Sequence, residues 1–299
     1  MQRSPLVAVA TLATACLLLS GCSRPTAAGQ PQPASAGATS SSAPSSATSP
    51  APSSPAAGSP APSNPAPSSP AAPGTSAPKQ LAAKPGQVVV LDPGHNGGNA
   101  ANPTAINRQV PAGRGQTKEC DTTGTATNAG YSEHAFTWDV SLRVRTALTA
   151  KGYQVVLTRQ DDTSVGPCVD ERAGIGNRAN AAAVVSIHAD GSLTSGAHGF
   201  HVAYPNPPVN AAQGAPTTRL ANTLRDAMVA AGFPTANYIG SNGLDGRADL
   251  AGLNLSEQPK VLVECGNMRD SAEASTLSSA EGRQRYADAI ASAIASYLG

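Results

Sequence analysis

The stretch QVVVLDPGHNGGN (residues 87–99) joins an apolar run to a polar, glycine-rich turn, with a histidine at the junction. Four consecutive apolar residues, Val88 to Leu91, read as a strand buried on both faces, the pattern of a parallel sheet interior. Pro93 and Gly94 turn the chain sharply, so His95 is delivered at the strand's carboxyl end. The glycines that follow it leave room for a substrate. In open α/β sheets, ligands bind beyond the carboxyl ends of the strands. The fold and the chemistry therefore depend on what else arrives at that edge.

Working outward, short apolar runs alternate with helical patterns. YQVVLTR (153–159), AVVSIHAD (183–190), HGFHVAYP (198–205) and KVLVECG (260–266) read as strands. Residues 131–152, 169–182, 217–232 and roughly 272–298 read as helices; the first ends at Gly152, a suitable C-terminal cap. The stretch 237–258 reads as a long polar loop. This order predicts an α/β fold, a mainly parallel twisted sheet of about six strands flanked by helices, in a single catalytic domain.

In such a sheet His188 and Glu264 also fall near the carboxyl ends of their strands. Glu133 arrives by another route. At 100° per residue it shares a helical face with Phe136, Val140, Val144 and Ala147, so a carboxylate lies on an apolar stripe. Burial there is costly unless the charge is paired or binds a metal. The plainer alternative is an exposed first-turn Glu favoured by the helix dipole. Its neighbour His134 is rotated away, towards Trp138 and Arg145. Two imidazoles and a carboxylate, His95, His188 and Glu133, match the donor set of a catalytic zinc site, with one zinc per chain. Glu264, flanked by apolar Val263 and Cys265, is placed to act as a general acid/base of raised pKa. Asp92 is expected to orient its own turn or an imidazole. Ser186 lies on the same strand face as His188 but lacks His and Asp partners for a nucleophile. His198 and His201, three apart on a strand, point to opposite faces and cannot share one metal. Arg159 and Arg178 read as scaffold ion pairs. Arg247, in the long loop, is a candidate for meeting a peptide carboxylate.

The rest of the chain sets the compartment. Residues 1–22 carry a charge at Arg3, an apolar run from Leu6 to Leu19, and Leu19-Ser20-Gly21-Cys22. This is the layout of a secretory signal, too short to span a bilayer comfortably. Its end resembles a lipobox in which Cys22 receives lipid. Residues 23–84 are almost wholly Ala, Pro, Ser, Gly and Thr. They lack the large apolar residues that offset ordering entropy and read as an extended linker or glycosylated stalk. Residues 85–299 remain as the folded domain. A net charge of +1 and 3% aromatic residues argue against nucleic acid as a partner. Cys120 and Cys168 sit in polar, turn-rich segments and Cys265 in an apolar strand. A Cys120–Cys168 disulfide and a buried free Cys265 are expected.

The segments VVVLDPGHNG, SEHAFTWDVSLRVRTALTAKGYQVVLTR, ERAGIGNRANAAAVVSIHAD and KVLVECGNMRD, in this order over about 85–299, resemble the zinc-dependent N-acetylmuramoyl-L-alanine amidases of the Amidase_3 type. The likeness is greatest to compact actinobacterial forms without a separate wall-binding repeat. The resemblance implies zinc on His95, Glu133 and His188, with Glu264 as the acid/base. It also implies hydrolysis of the amide joining N-acetylmuramic acid to L-alanine in peptidoglycan. A lipid-anchored monomer on the outer face of the membrane, facing the wall, fits the leader and linker. Two departures stand out. GNMRD follows Glu264 where the family often has a Gly-Phe pair and an Asn, and the 99–130 insert is long and polar. Other readings remain open on the residues alone: a catalytically silent wall-binding or activator module, or a zinc peptidase acting on the stem peptide.

Overall fold

A computed structural model describes residues 86–299. The leader at 1–22, the lipidation site Cys22 and the linker at 23–84 lie outside the described residues. Among the described residues, no helix is long and apolar enough to cross a membrane.

The chain runs β1 (Val88–Pro93), a 3-10 turn at Asn99–Ala101, α1 (Pro103–Ile106), β2 (Gln109–Gly113), β3 (Gln116–Glu119), α2 (Glu133–Thr149), β4 (Gln154–Leu157), α3 (Val169–Arg178), β5 (Ala183–Asp190) and β6 (His201–Pro205). There follow α4 (Ala215–Ala230), β7 (Leu244–Arg247), α5 (Ala251–Asn254), β8 (Lys260–Asn267), α6 (Ser271–Ser278) and α7 (Ala280–Leu298). Six strands form one sheet in the order β4-β1-β5-β8-β6-β7, and β2 and β3 form a separate hairpin. The predicted α/β architecture is present. β4, β1, β5 and β8 are mutually parallel. β6 runs antiparallel to β8, and β7 follows β6.

Strand alternation divides the core between two faces. Val89, Leu91, Val185, Ile187, Val261 and Val263 pack with Phe136, Val140, Val144 and Leu148 of α2 and with Ile290 and Ile294 of α7. The opposite face holds a small apolar cluster of Val90, Val184 and Ala181, with Ile175 and Ala179 against it. The same face continues in polar residues, Asp92, Ser186 and Lys260, all buried. Lys260 Nζ donates to Asp92 Oδ2 at 3.1 Å, Arg172 Nη1 to Asp92 Oδ1 at 3.0 Å, and Ser186 Oγ to Asp92 Oδ2 at 2.9 Å. Buried charges survive only when paired in this way.

Several boundaries differ from the sequence expectation. The stretch 237–258 contains β7 and α5 rather than one long loop. The helix expected over 272–298 breaks at Ser279, whose hydroxyl accepts from Gly282 N and caps α7. His198 precedes β6 rather than lying on it. The 99–130 insert carries the β2–β3 hairpin and is fastened by the Cys120–Cys168 disulfide to the start of α3. Cys265 is a buried free thiol.

Candidate active site

The parallel core strands bring the predicted residues to one edge. His188 and Glu264 are register partners on β5 and β8. His95 follows β1, and Glu133 opens α2 after its N-cap Ser132. Glu133 is buried, on the apolar face that helical spacing assigned to it. Its Oε1 lies 2.9 Å from His188 Nδ1 and 3.3 Å from His95 Nε2. One atom from each of these three side chains lies within 4.8 Å of the others, a spacing that suits one metal ion. Two half-buried imidazoles and a buried carboxylate fit the ligand set of a zinc site.

The supporting structure explains why the donors stay in place. His95 adopts φ 57°, a left-handed backbone that side-chain-bearing residues seldom take. The carbonyls around it are held: Arg172 donates to Pro93 O and His95 O, Arg159 Nε to Pro93 O, and Thr137 Oγ1 to Gly94 O. His95 Nδ1 meets Asp121 Oδ1 at 3.0 Å, which leaves Nε2 turned towards Glu133. Thr125 N donates to Glu133 Oε2 at 2.9 Å and Ala189 N to Oε1 at 3.2 Å. Two glycines are steric requirements. A Cβ at Gly94 would overlap the His188 ring, and one at Gly124 would stand 2.8 Å from both Glu133 Oε2 and His95 Cδ2.

Electrostatics separate the two glutamates. Burial disfavours a charge on Glu133, yet the His95 and His188 imidazoles outweigh it and hold its carboxyl well below the usual range. Burial also disfavours a charge on His95, but Glu133 and Asp121 outweigh it and raise the imidazole to about 10. Glu264 is pushed far up, first by burial and then by the Glu133 and Asp190 carboxylates. Its Oε2 is buried without a hydrogen-bond partner. His95, Glu133, His188 and Glu264 line a groove of about 350 Å³.

The other expectations are met in part. Asp92 does not touch an imidazole; it is the ion-pair hub described above, and Asp121 takes the orienting role. Asp121 stood beside Cys120 in a turn-rich segment, a position that carried no signal of its own. Arg172, which pairs with both Asp92 and Asp121, lay unremarked within ERAGIGNR. Arg247 is not in the groove. Its guanidinium is bound by Asp249 and Asp245. It ends β7, towards the edge where β8 begins, because β6 and β7 run against β8. Gly97 and Gly98 do not open space for substrate, since a Cβ on either would strike the backbone at 162–164. Ser186 lines the groove but is bound to Asp92. His134 pairs with Asp162, as does Arg159, and Arg178 pairs with Glu171. His198 is exposed. His201 is buried and stands opposite Glu264 across β6 and β8.

The chain is similar to known proteins in sequence and in fold. A curated N-acetylmuramoyl-L-alanine amidase of Mycobacterium tuberculosis is 53% identical over 213 residues, which cover 71% of this chain and 87% of that protein. The crystal structure of the N-acetylmuramyl-L-alanine amidase Ami1 from Mycobacterium smegmatis superposes with a TM-score of 0.69 at 54% identity, covering 72% of this chain and 98% of that one. The apo enzyme from Mycobacterium abscessus gives the same TM-score at 56% identity, covering 72% of this chain and all of that one. The sequence pattern of the family described as N-acetylmuramoyl-L-alanine amidase matches residues 89–296, and the chain belongs to that family of peptidoglycan hydrolases.

Proposed function

We propose that the chain is a zinc-dependent amidase that cleaves the bond between N-acetylmuramic acid and L-alanine in peptidoglycan, with zinc on His95, Glu133 and His188 and with Glu264 as acid/base. The observation that carries the reading is the convergence of the His95, Glu133 and His188 donors in one groove with a second carboxyl group, Glu264, in register beside His188. When bound, zinc would supply Lewis acidity towards the amide carbonyl and lower the pKa of a coordinated water.

The protein's own groups account for the remaining steps. Glu264, ionised when the site is ready, accepts the proton of the attacking water at a carboxylate oxygen. It then passes that proton to the amide nitrogen, so that L-alanine leaves as an amine and the lactyl group as a carboxylate. Its raised pKa favours holding the proton between these two transfers. Asp121 holds the His95 ring by Nδ1, and Thr125 N and Ala189 N hold the Glu133 carboxylate, so little reorganisation is needed.

We further propose, on the leader and linker sequences alone, secretion through residues 1–22 and lipid attachment at Cys22. Residues 23–84 would then carry a monomeric domain from the membrane's outer face into the wall.

Three measurements test the catalytic reading. The purified chain is expected to contain about one zinc per molecule by elemental analysis. Glu264→Ala is expected to retain that zinc and lose hydrolysis. Mass spectrometry of digested muropeptides should reveal a free lactyl carboxylate and a free L-alanine amine. Cleavage within the stem peptide would overturn the assignment of the bond, and full activity of a metal-free, folded chain would overturn the mechanism.

A further inference from the structure

Beside the groove lies a second, polar cavity of about 360 Å³, walled by the loop after β5, by Asn128, and by the segment joining β8 to α6. The two cavities share their walls in sequence: Asp190 and Gly191 line the first and Ser192 the second, while Thr125 lines the first and Asn128 the second. The cation in the second cavity is Arg269, in the short segment between β8 and α6.

Arg269 is poorly satisfied. Its Nε is buried without a hydrogen-bond partner, the only guanidinium nitrogen in that condition among the described residues. Its Nη1 donates to Asn128 Oδ1 at 3.2 Å. It joins none of the ion pairs among the described residues. The nearby carboxylates are already engaged: Asp270 accepts from Ala272 N and Glu273 N at the start of α6, and Glu273 accepts from Gly199 N and Asn267 N. An unsatisfied buried donor is costly, and a guanidinium edge presents paired donors that match a carboxylate.

We propose that Arg269 binds a carboxylate on the peptide side of the scissile amide and so sets a preference for acidic stem peptides. The side follows from the substrate's chemistry. In intact substrate the muramic carboxyl is consumed in the amide, and the sugars offer hydroxyls and neutral acetamido groups. A free carboxylate can therefore come only from the peptide. This inference rests on the amidase reading, since it takes the ligand from that reaction. It adds a residue that acts on binding rather than on proton transfer.

The test compares two synthetic N-acetylmuramoyl-L-alanyl peptides, one with a free carboxylate on the residue after L-alanine and one with that carboxyl amidated. Affinity for Glu264→Ala protein, which cannot turn them over, is measured by calorimetry with and without Arg269→Gln. With Arg269 present the acidic ligand is expected to bind about tenfold tighter than the amide, the scale of one charge-assisted contact. Arg269→Gln should erase that difference while leaving affinity for the amidated ligand unchanged, which also reports that the fold is intact. Arg269→Lys should keep part of the preference. In active protein the same change should raise KM for the acidic substrate and leave kcat. Equal binding of the two ligands by Arg269-containing protein, or a preference that survives Arg269→Gln, would overturn the proposal. Hydrolysis by the unmodified chain tests the amidase reading separately, because the binding comparison does not depend on turnover.

Discussion

At the scale of single residues, the site depends on groups that position the donors as much as on the donors. Asp121 accepts from one nitrogen of His95 and thereby commits the other to the cluster. Asp121→Asn is expected to weaken metal affinity about 10–100-fold, the usual effect of losing such a partner, as read by competition with a chelating dye. An unchanged affinity would show that the backbone alone orients the ring. Gly94→Ala makes a different demand, because its methyl would occupy the space of the His188 ring. Purified Gly94→Ala protein should carry little zinc although its secondary structure, read by circular dichroism, is retained. The residues that the structure brings together were legible in the sequence because each breaks a local pattern: a histidine ending an apolar strand, or a carboxylate on an apolar helical face. Asp121, Arg172 and Arg269 break no local pattern. What they do is set by partners 26, 80 and 141 residues away, in His95, Asp92 and Asn128.

At the scale of elements, the insert between β1 and α2 is held by chemistry rather than by a large core. Its hairpin buries only Val110 and Ala112, and the cluster around the disulfide contains Val110, Cys120, Cys168 and Val169. The bridge closes a separation of 48 residues, for which chain entropy alone suggests about 4 kcal/mol. Cys120→Ser with Cys168→Ser is expected to lower Tm by many degrees and to weaken metal binding, since Asp121 is tethered beside Cys120. A double variant with the parent's Tm and zinc content would show that the insert is held otherwise. The same shortage of apolar residues explains why the hairpin and β7, LDGR, could not be read from the sequence. The strands that could be read are the continuous apolar runs of the sheet centre. The direction of β6 was not encoded locally at all; a short apolar strand pairs either way, and its neighbours decide.

At the scale of the whole molecule, Asp92 joins β1, β5, β8 and α3 through Ser186, Lys260 and Arg172. Burial opposes ionisation of Asp92, but Lys260 and Arg172, helped by the Thr158 hydroxyl, hold its carboxyl far below the ordinary range. A carboxyl depressed in the folded state adds stability that is fully present above its unfolded pKa, near 4, and is lost as pH falls below it. Denaturant titrations should therefore show stability dropping between about pH 5 and pH 2 in the parent. Asp92→Asn should flatten part of that drop. At neutral pH it should cost about 3–5 kcal/mol, because Lys260 is left buried without its partner. Adding Lys260→Met should recover much of the loss; no recovery would mean that the pair does not act as a unit.

The donors come from both sides of the sheet. Glu133 belongs to α2 on one face, whereas His188 points to the other, and His95 joins them at the rim. An ion held there would rivet the two layers at the seam where no strand connects them. Binding to the folded state alone adds about 2.7 kcal/mol when free ion exceeds its Kd a hundredfold. Chelation should accordingly lower Tm, and returning zinc should restore it. Scarcity of the ion would then do more than slow turnover: a chain that opens more often is cut more often by proteases, so supply of the ion would also set how long each molecule lasts.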